Sequence, residues 1–248
     1  MQIFPVSEGA FTVDKTKVFV PFDTATEQLS TRPAGSLLVE IQPFAVITSK
    51  DIILFDTGLG YNDAEGRFRL HQLLRQAGID PNKVTKVLIS HLHKDHAGGV
   101  SVKSSSGERF ISFPYATWYV QRREFEFATG AGTASYITED FALLEHFSRV
   151  AWLDEDEGMI DNYIRYQLTG AHSKFHQVFW VEEDGEKIFF GGDVAPQLQQ
   201  MKNRFIAKYD YDGRKCMELR QQWWEQGQQE HWTFLFYHDI KTPVWDGK

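Results

Sequence analysis

The chain has 248 residues, room for one large domain with a well-buried core or for two small ones. Lys plus Arg is 26 against 34 Asp plus Glu, a net charge of -8, which argues against a nucleic-acid backbone as the main partner because phosphate binding needs a basic surface. Cys216 is the only cysteine, so an intrachain disulfide and a thiolate zinc site are both excluded.

Met1 to Ala10 has no basic stretch followed by an apolar run, so no signal peptide is expected. The apolar runs are strand-sized, which predicts no membrane span and makes the cytoplasm the default location. Ser36 to Thr48 is largely apolar, with β-branched residues, and reads as extended chain. Ser49-Lys50-Asp51 is a turn, and Ile52 to Phe55 is a second strand. Phe68 to Gln76 has helical periodicity and stops before Gly78. Val84 to Ser90 is a buried strand. Ser104 to Gly107 and Thr129 to Thr133 are surface loops. Ala116 to Val120 is a strand leading into a helix from about Gln121 to Ala128. Thr138 to Phe147 reads as a helix with Thr138 as its N-cap.

The second half repeats the pattern. Tyr163 to Leu168 is a strand, and Gln177 to Val181 pairs with Lys187 to Phe190 around Glu183-Asp184-Gly185. Arg214 to Gln226 is a helix, and Thr233 to Tyr237 is a last strand. Two strand-rich halves, each with helices outside, predict an α/β fold of the αββα sandwich type, a single domain over residues 1–248. Trp118, Trp223, Trp224 and Phe205 are read first as core or dimer face, and second as the wall of an apolar pocket. Gln221-Gln222-Trp223-Trp224 keeps a homodimer open.

The densest chemistry is His91-Leu92-His93-Lys94-Asp95-His96, four metal ligands in six residues at a strand end. Side chains two apart in extended chain face the same way. If the segment stays extended, His91, His93 and Asp95 share one cavity, and His96 follows as a helix begins near Ala97. Four ligands so crowded close around one ion only with strain, and two adjacent ions divide them more easily. His172, Asp193 and His238 each lie just past a strand end, where such ions would find their remaining ligands. His71, His146, His176 and His231 are not so placed and read as structural or surface residues.

Ser90 to Gly99 resembles the His-x-His-x-Asp-His signature of the metallo-β-lactamase superfamily. Leu54 to Gly58 is similar to that family's Asp-Thr-Gly turn, Gly170 to His176 to its Gly-His region, and Phe190 to Asp193 to the strand that ends in its bridging aspartate. The resemblance implies a first metal on His91, His93 and His172, and a second on Asp95, His96 and His238. It implies Asp193 as the bridge and Asp56 as a support for the ligand loops, and no ligand role for His176. Such a His/Asp set suits two divalent ions, zinc above all, with manganese, iron or cobalt as alternatives. Flavodiiron oxygen reductases of the superfamily carry Glu where this chain has His93, which argues against redox chemistry.

The activity so implied is hydrolysis of a small ester or lactone by a metal-bridging hydroxide, with Asp95 orienting it and shuttling a proton. Phosphodiester, phosphotriester or thioester hydrolysis is the alternative, and a non-catalytic binding protein on the same fold is a third reading. Trp118 to Ala128 resembles a strand-helix segment of the branch that holds acyl-homoserine lactonases and organophosphate hydrolases. Two features depart from that branch. Pro196 stands where the lactonases have a tyrosine, with Tyr209 or Tyr211 as substitutes, and Ser173-Lys174-Phe175 replaces Thr-Pro-Gly. A small-molecule substrate is expected as the partner, with no nucleic acid and no membrane.

Overall fold

The computed structural model describes residues 1–104 and 106–247. Ser105, inside one of the expected loops, lies outside the described residues, as does Lys248. Two six-stranded sheets carry the architecture. The first runs Gln2–Pro5, Phe44–Ile47, Ile52–Phe55, Lys86–Leu88, Thr117–Gln121, Val150–Leu153. Its first two pairings are antiparallel and its last three parallel. The second runs Glu157–Ile160, Ile164–Leu168, Gln177–Glu183, Glu186–Phe190, Thr233–Leu235, Val244–Trp245. Only the pairing of Glu186–Phe190 with Thr233–Leu235 is parallel there.

Side-chain alternation shows how the layers stack. Phe44, Val46, Ile53, Phe55 and Leu88 meet Ile164, Phe179, Val181, Ile188 and Phe190 between the sheets. The rings of Phe55 and Phe190 are 4.8 Å apart in this inner core. The intervening residues Ala45, Leu54, Val87 and Trp118 face outward, against Leu70 and Leu74 of the helix Arg69–Gln76 and against Phe125 and Phe141. Val178, Trp180, Phe189 and Phe234 face out on the other side, against Cys216 and Trp223 of the helix Gly213–Gln229. Period-two alternation with apolar residues on both faces is the pattern of a sheet covered on both sides. The result is the expected αββα sandwich.

Several expectations change in detail. Ser36 to Thr48 is two strands, Leu37–Ile41 and Phe44–Ile47, in different sheets. Gln42-Pro43 parts them, and proline has no N–H to continue a ladder. Leu37–Ile41 joins Gly9–Val13 and Phe19–Pro21 in a small third sheet beside the rim. Thr138 is not an N-cap. The helix Thr138–Phe141 starts on it, Ile137 occupies the cap position, and the chain continues as the 3₁₀ segment Ala142–His146. Trp118 and Trp223 are core, whereas Phe205 is exposed.

Two glycines at close approaches pack the rim. A Cβ on Gly98 would lie 2.5 Å from the carbonyl oxygens of both Leu59 and Lys94, so the turn after Asp56 rests directly on the backbone behind His96. Gly192 has φ +47, and a Cβ there would come within 2.7 Å of His176 Nε2 and 3.0 Å of Ser90. Only glycine lets the Asp193 segment press against the strand end that carries the histidines.

Candidate metal centre

The strand Lys86–Leu88 ends three residues before His91, and the helix Lys94–Ala97 begins directly after His93. His93 is still extended, at φ -62 and ψ 147, but Asp95 is already helical. This corrects the expectation that Asp95 continues an extended run and that the turn comes near Ala97. Asp95 enters the cluster because the helix rotates it back beside His96. Three bonds moor this helix. The Thr57 hydroxyl and N–H both donate to the His96 carbonyl, and the Tyr237 hydroxyl donates to the Asp95 carbonyl at 2.6 Å.

His172, Asp193 and His238 arrive from the ends of Ile164–Leu168, Glu186–Phe190 and Thr233–Leu235. All seven residues meet on one rim between the sheets. They form three overlapping groups whose ligand atoms lie within 4.8 Å of one another: His91, His93 and His172; His91, His96 and Asp193; Asp95, His96 and His238. In the first, His93 Nδ1 is 2.9 Å from His91 Nε2 and 3.1 Å from His172 Nε2. In the last, Asp95 Oδ2 is 3.7 Å from His96 Nε2 and 3.5 Å from His238 Nε2. Asp193 touches both sets. Its Oδ2 is 3.1 Å from His172 Nε2, and its Oδ1 is 3.1 Å from His96 Nε2 and 2.9 Å from His238 Nε2.

These spacings fit cations. Ligand atoms about 2.0–2.1 Å from a tetrahedral zinc ion stand about 3.3 Å apart. His96 Nε2 and Asp193 Oδ1 are buried and have no hydrogen-bond partner, although buried polar atoms are ordinarily satisfied. A shared cation would satisfy both.

For four of the five imidazoles, all but His93, the far side explains why the other nitrogen is bare. His96 Nδ1–H donates to Asp56 Oδ2 at 2.8 Å, and His172 Nδ1–H donates to Asp210 Oδ1 at 2.8 Å. His238 Nδ1–H donates to the Glu40 carbonyl at 2.6 Å, and His91 Nδ1–H to Ser90 Oγ at 3.0 Å. Each bond fixes the tautomer that turns Nε2 into the cluster. Burial holds His91 and His93 well below the usual imidazole pKa, so they are neutral, as metal ligands must be. Burial works against charge on His96 too, but Asp193 and Asp95 outweigh it and raise His96 well above its usual value.

Asp210 and Glu124 were not singled out in the sequence. Glu124, fully buried in the helix Arg122–Gly130, accepts from Leu92 N–H at 3.1 Å, the Tyr136 hydroxyl at 3.2 Å and the Ser173 hydroxyl at 3.2 Å. It ties the loop between His91 and His93 to the loop after His172. Its signal was a carboxylate on an otherwise apolar helix face; Asp210, in Tyr209-Asp210-Tyr211, offered none.

His176 stands behind the cluster. Its Nε2 accepts from Asp193 N–H at 3.2 Å, and its Nδ1 contacts the Thr169 hydroxyl at 3.2 Å. With Nε2 so committed, His176→Ala is expected to keep its metal content while losing about 1–3 kcal/mol of stability. Elemental analysis and a denaturation curve check both; loss of an ion would place His176 among the ligands.

The sequence profile of the Metallo-beta-lactamase superfamily matches residues 39–238, from the small sheet through His238. The chain belongs to the metallo-β-lactamase superfamily. An N-acyl homoserine lactonase, AttM of Agrobacterium fabrum, is 32% identical over 161 residues, 59% of this chain and 56% of the relative. The chain spans about half the length of the curated relatives it matches. Among solved structures, a probable metal-dependent hydrolase from Staphylococcus aureus superposes with a TM-score of 0.78 at 20% identity, covering 98% of this chain and 91% of that one. AidC, a dizinc quorum-quenching lactonase solved with a product, superposes at 0.71 and 19% identity, covering 98% and 88%. At these identities the structural likeness establishes the metallo-β-lactamase fold and nothing narrower.

Over the cluster opens a cavity of about 420 Å³. His93, Asp95, His172, Asp193 and His238 form its floor, and Leu37, Phe127 and Phe205 belong to its apolar wall. Pro196, Tyr209 and Tyr211 line it together, so both tyrosines suggested as replacements reach the same space as Pro196. The ring of Tyr209 stands 6.1 Å from that of His172. Among the described residues no helix is long and apolar enough to cross a membrane.

Proposed function

We propose that the protein hydrolyses a small ester or lactone at a centre of two divalent ions, zinc in the first instance. His91, His93 and His172 hold one ion, Asp95, His96 and His238 the other, and Asp193 joins them. The observation that carries the reading is the Asp193 carboxylate, whose two oxygens lie against histidines of both outer groups. Bound ions of this kind lower the pKa of water toward about 7 and polarise the oxygen under attack.

The chain's own residues supply the rest. The floor of the cavity orients the scissile carbonyl, and the apolar wall of Leu37, Phe127 and Phe205 takes the acyl portion. Asp95 Oδ2 accepts a proton from the attacking water and returns it to the leaving oxygen, so the acid and the alcohol are both released neutral before they equilibrate with solvent. Tyr209, which lines the cavity with Pro196, would donate a hydrogen bond to the substrate. The AttM relatives, named as N-acyl homoserine lactonases, support lactones as the first substrates to try.

The test is metal analysis followed by a panel of lactone, aryl ester, thioester, phosphotriester and bis-phosphodiester substrates. Close to two equivalents of metal and fastest turnover of a lactone or aryl ester are expected, with the chelated protein inactive. Less than one equivalent of metal would sink the hydrolase reading. A panel led by the phosphodiester would move the protein to a different branch.

A further inference from the structure

The charge of the cavity is opposite to that of the chain. The protein carries a net -8, yet the charged side chains lining the cavity, besides its histidines, are Lys17, Lys94 and Lys174 against Asp95 and Asp193. Both carboxylates sit in the histidine cluster. Lys174 has company of its own, with Nζ 5.4 Å above the Phe127 ring and 5.3 Å from that of Phe175.

Lys17 and Lys94 have no ion pair among the described residues. Both line the cavity, Lys94 from the segment between His93 and Asp95 and Lys17 from the turn before Phe19. Asp140, the next carboxylate in range of Lys94, is engaged by Arg109 at 2.8 Å. Lys94 Nζ lies 5.9 Å from the Phe19 ring, on the strand that follows Lys17.

The fold also spends conformational strain on Lys17. It has φ +59, left-handed for a long side chain. The turn is held by Asp14, which accepts from Thr16 N–H at 2.9 Å and the Thr16 hydroxyl at 2.6 Å, while Lys17 N–H donates to the Asp14 carbonyl. Two ammonium groups without an ion pair among the described residues therefore line the cavity that opens over the histidine cluster. An anion arriving there would find both as partners.

We infer that the substrate carries a carboxylate remote from the bond that is cut, and that Lys17 and Lys94 bind it at the cavity mouth. This rests on the hydrolase reading for the word substrate, but the anion site itself does not. The apolar wall sets the spacer between the two ends as a hydrocarbon chain.

The test is calorimetric and needs no turnover. Zinc-loaded protein is titrated with linear dicarboxylates from glutarate to suberate and with the monocarboxylates of equal carbon number. At the best length the dicarboxylate binds at least about tenfold tighter, and the ratio falls to about one in Lys17→Gln/Lys94→Gln. Lys17→Gln alone, on a hairpin outside the ligand segment, lowers the ratio at least about threefold. A ratio near one in the native protein, or one that survives both substitutions, overturns the proposal. A matched ω-phosphonate that binds a further tenfold tighter overturns the carboxylate assignment. A protein that shows the ratio but cleaves no ester would end the hydrolase reading and leave the anion site standing.

Discussion

Asp193→Ala is expected to release both ions, not one, and to abolish turnover. Among the described residues, Asp193 is the only carboxylate within 3.1 Å of His172 on one side and of His96 and His238 on the other. Its carboxyl is held well below the usual range, because His238, His96 and His172 together outweigh the effect of burial. Alanine leaves those three imidazoles facing one another with no anion between them, and any two cations there would repel without a shared ligand. A bound ion contributes several kcal/mol of transition-state stabilisation. Each step of about 1.4 kcal/mol is tenfold in rate, so kcat/KM falls by roughly 10³-fold or more. Elemental analysis after gel filtration measures the loss, from about two equivalents to well under one. Protein that retains two tightly held ions would refute the bridging role. Asp193→Asn keeps the volume and one acceptor oxygen, and should hold one ion weakly, which separates ligand loss from misfolding.

The layered fold was legible because its outward signs are local. The hairpin around Glu183-Asp184-Gly185 shows in its turn residues, and Gln177–Glu183 pairs with Glu186–Phe190 as read. The seven residues marked as ligands were legible as positions past strand ends, and the fold brings them to one rim. The geometry at Asp95 was not. Whether Lys94 begins a helix depends on the anchoring of its backbone by Thr57 and Tyr237, which lie far off in sequence. Glu124 and Asp210 escaped for a related reason. A single carboxylate on a short helix or in a loop usually faces water, and only the assembled fold turns these two inward onto Leu92, Ser173 and His172. The short strands Val150–Leu153 and Glu157–Ile160 were also missed. Trp152 and the acidic run Asp154 to Glu157 give no period-two pattern, so their extended state is set by parallel pairing with Thr117–Gln121 and by the neighbour Ile164–Leu168.

Asp56 shows how much rests on a residue that touches no substrate. Its carboxylate is fully buried and accepts three bonds, from Ser90 N–H and the Ser90 hydroxyl at 2.7 Å each and from His96 Nδ1–H at 2.8 Å. Its φ of +55 is left-handed, a conformation that Asn tolerates at least as well as Asp. Asp56→Asn therefore keeps the backbone and changes the hydrogen-bond roles. If the amide oxygen stays on Ser90 N–H, the amide nitrogen faces His96 Nδ1. A donor there needs an acceptor, so His96 moves its proton to Nε2, the atom that points into the cluster. The expected result is a fall of about 10–100-fold in affinity for the ion proposed on Asp95, His96 and His238, with the other proposed ion less affected. The lost charge-assisted bonds cost about 1–3 kcal/mol of stability. Competitive chelator titration reads the affinity, ¹⁵N spectra of the imidazoles read the tautomer, and unfolding of the metal-free protein reads the fold. A variant that melts earlier but binds both ions as tightly as the native protein would make Asp56 a brace for the Ser90 turn alone. A variant whose His96 proton has moved, with one weak ion, would show that the Asp-Thr-Gly turn decides which nitrogen the second metal sees.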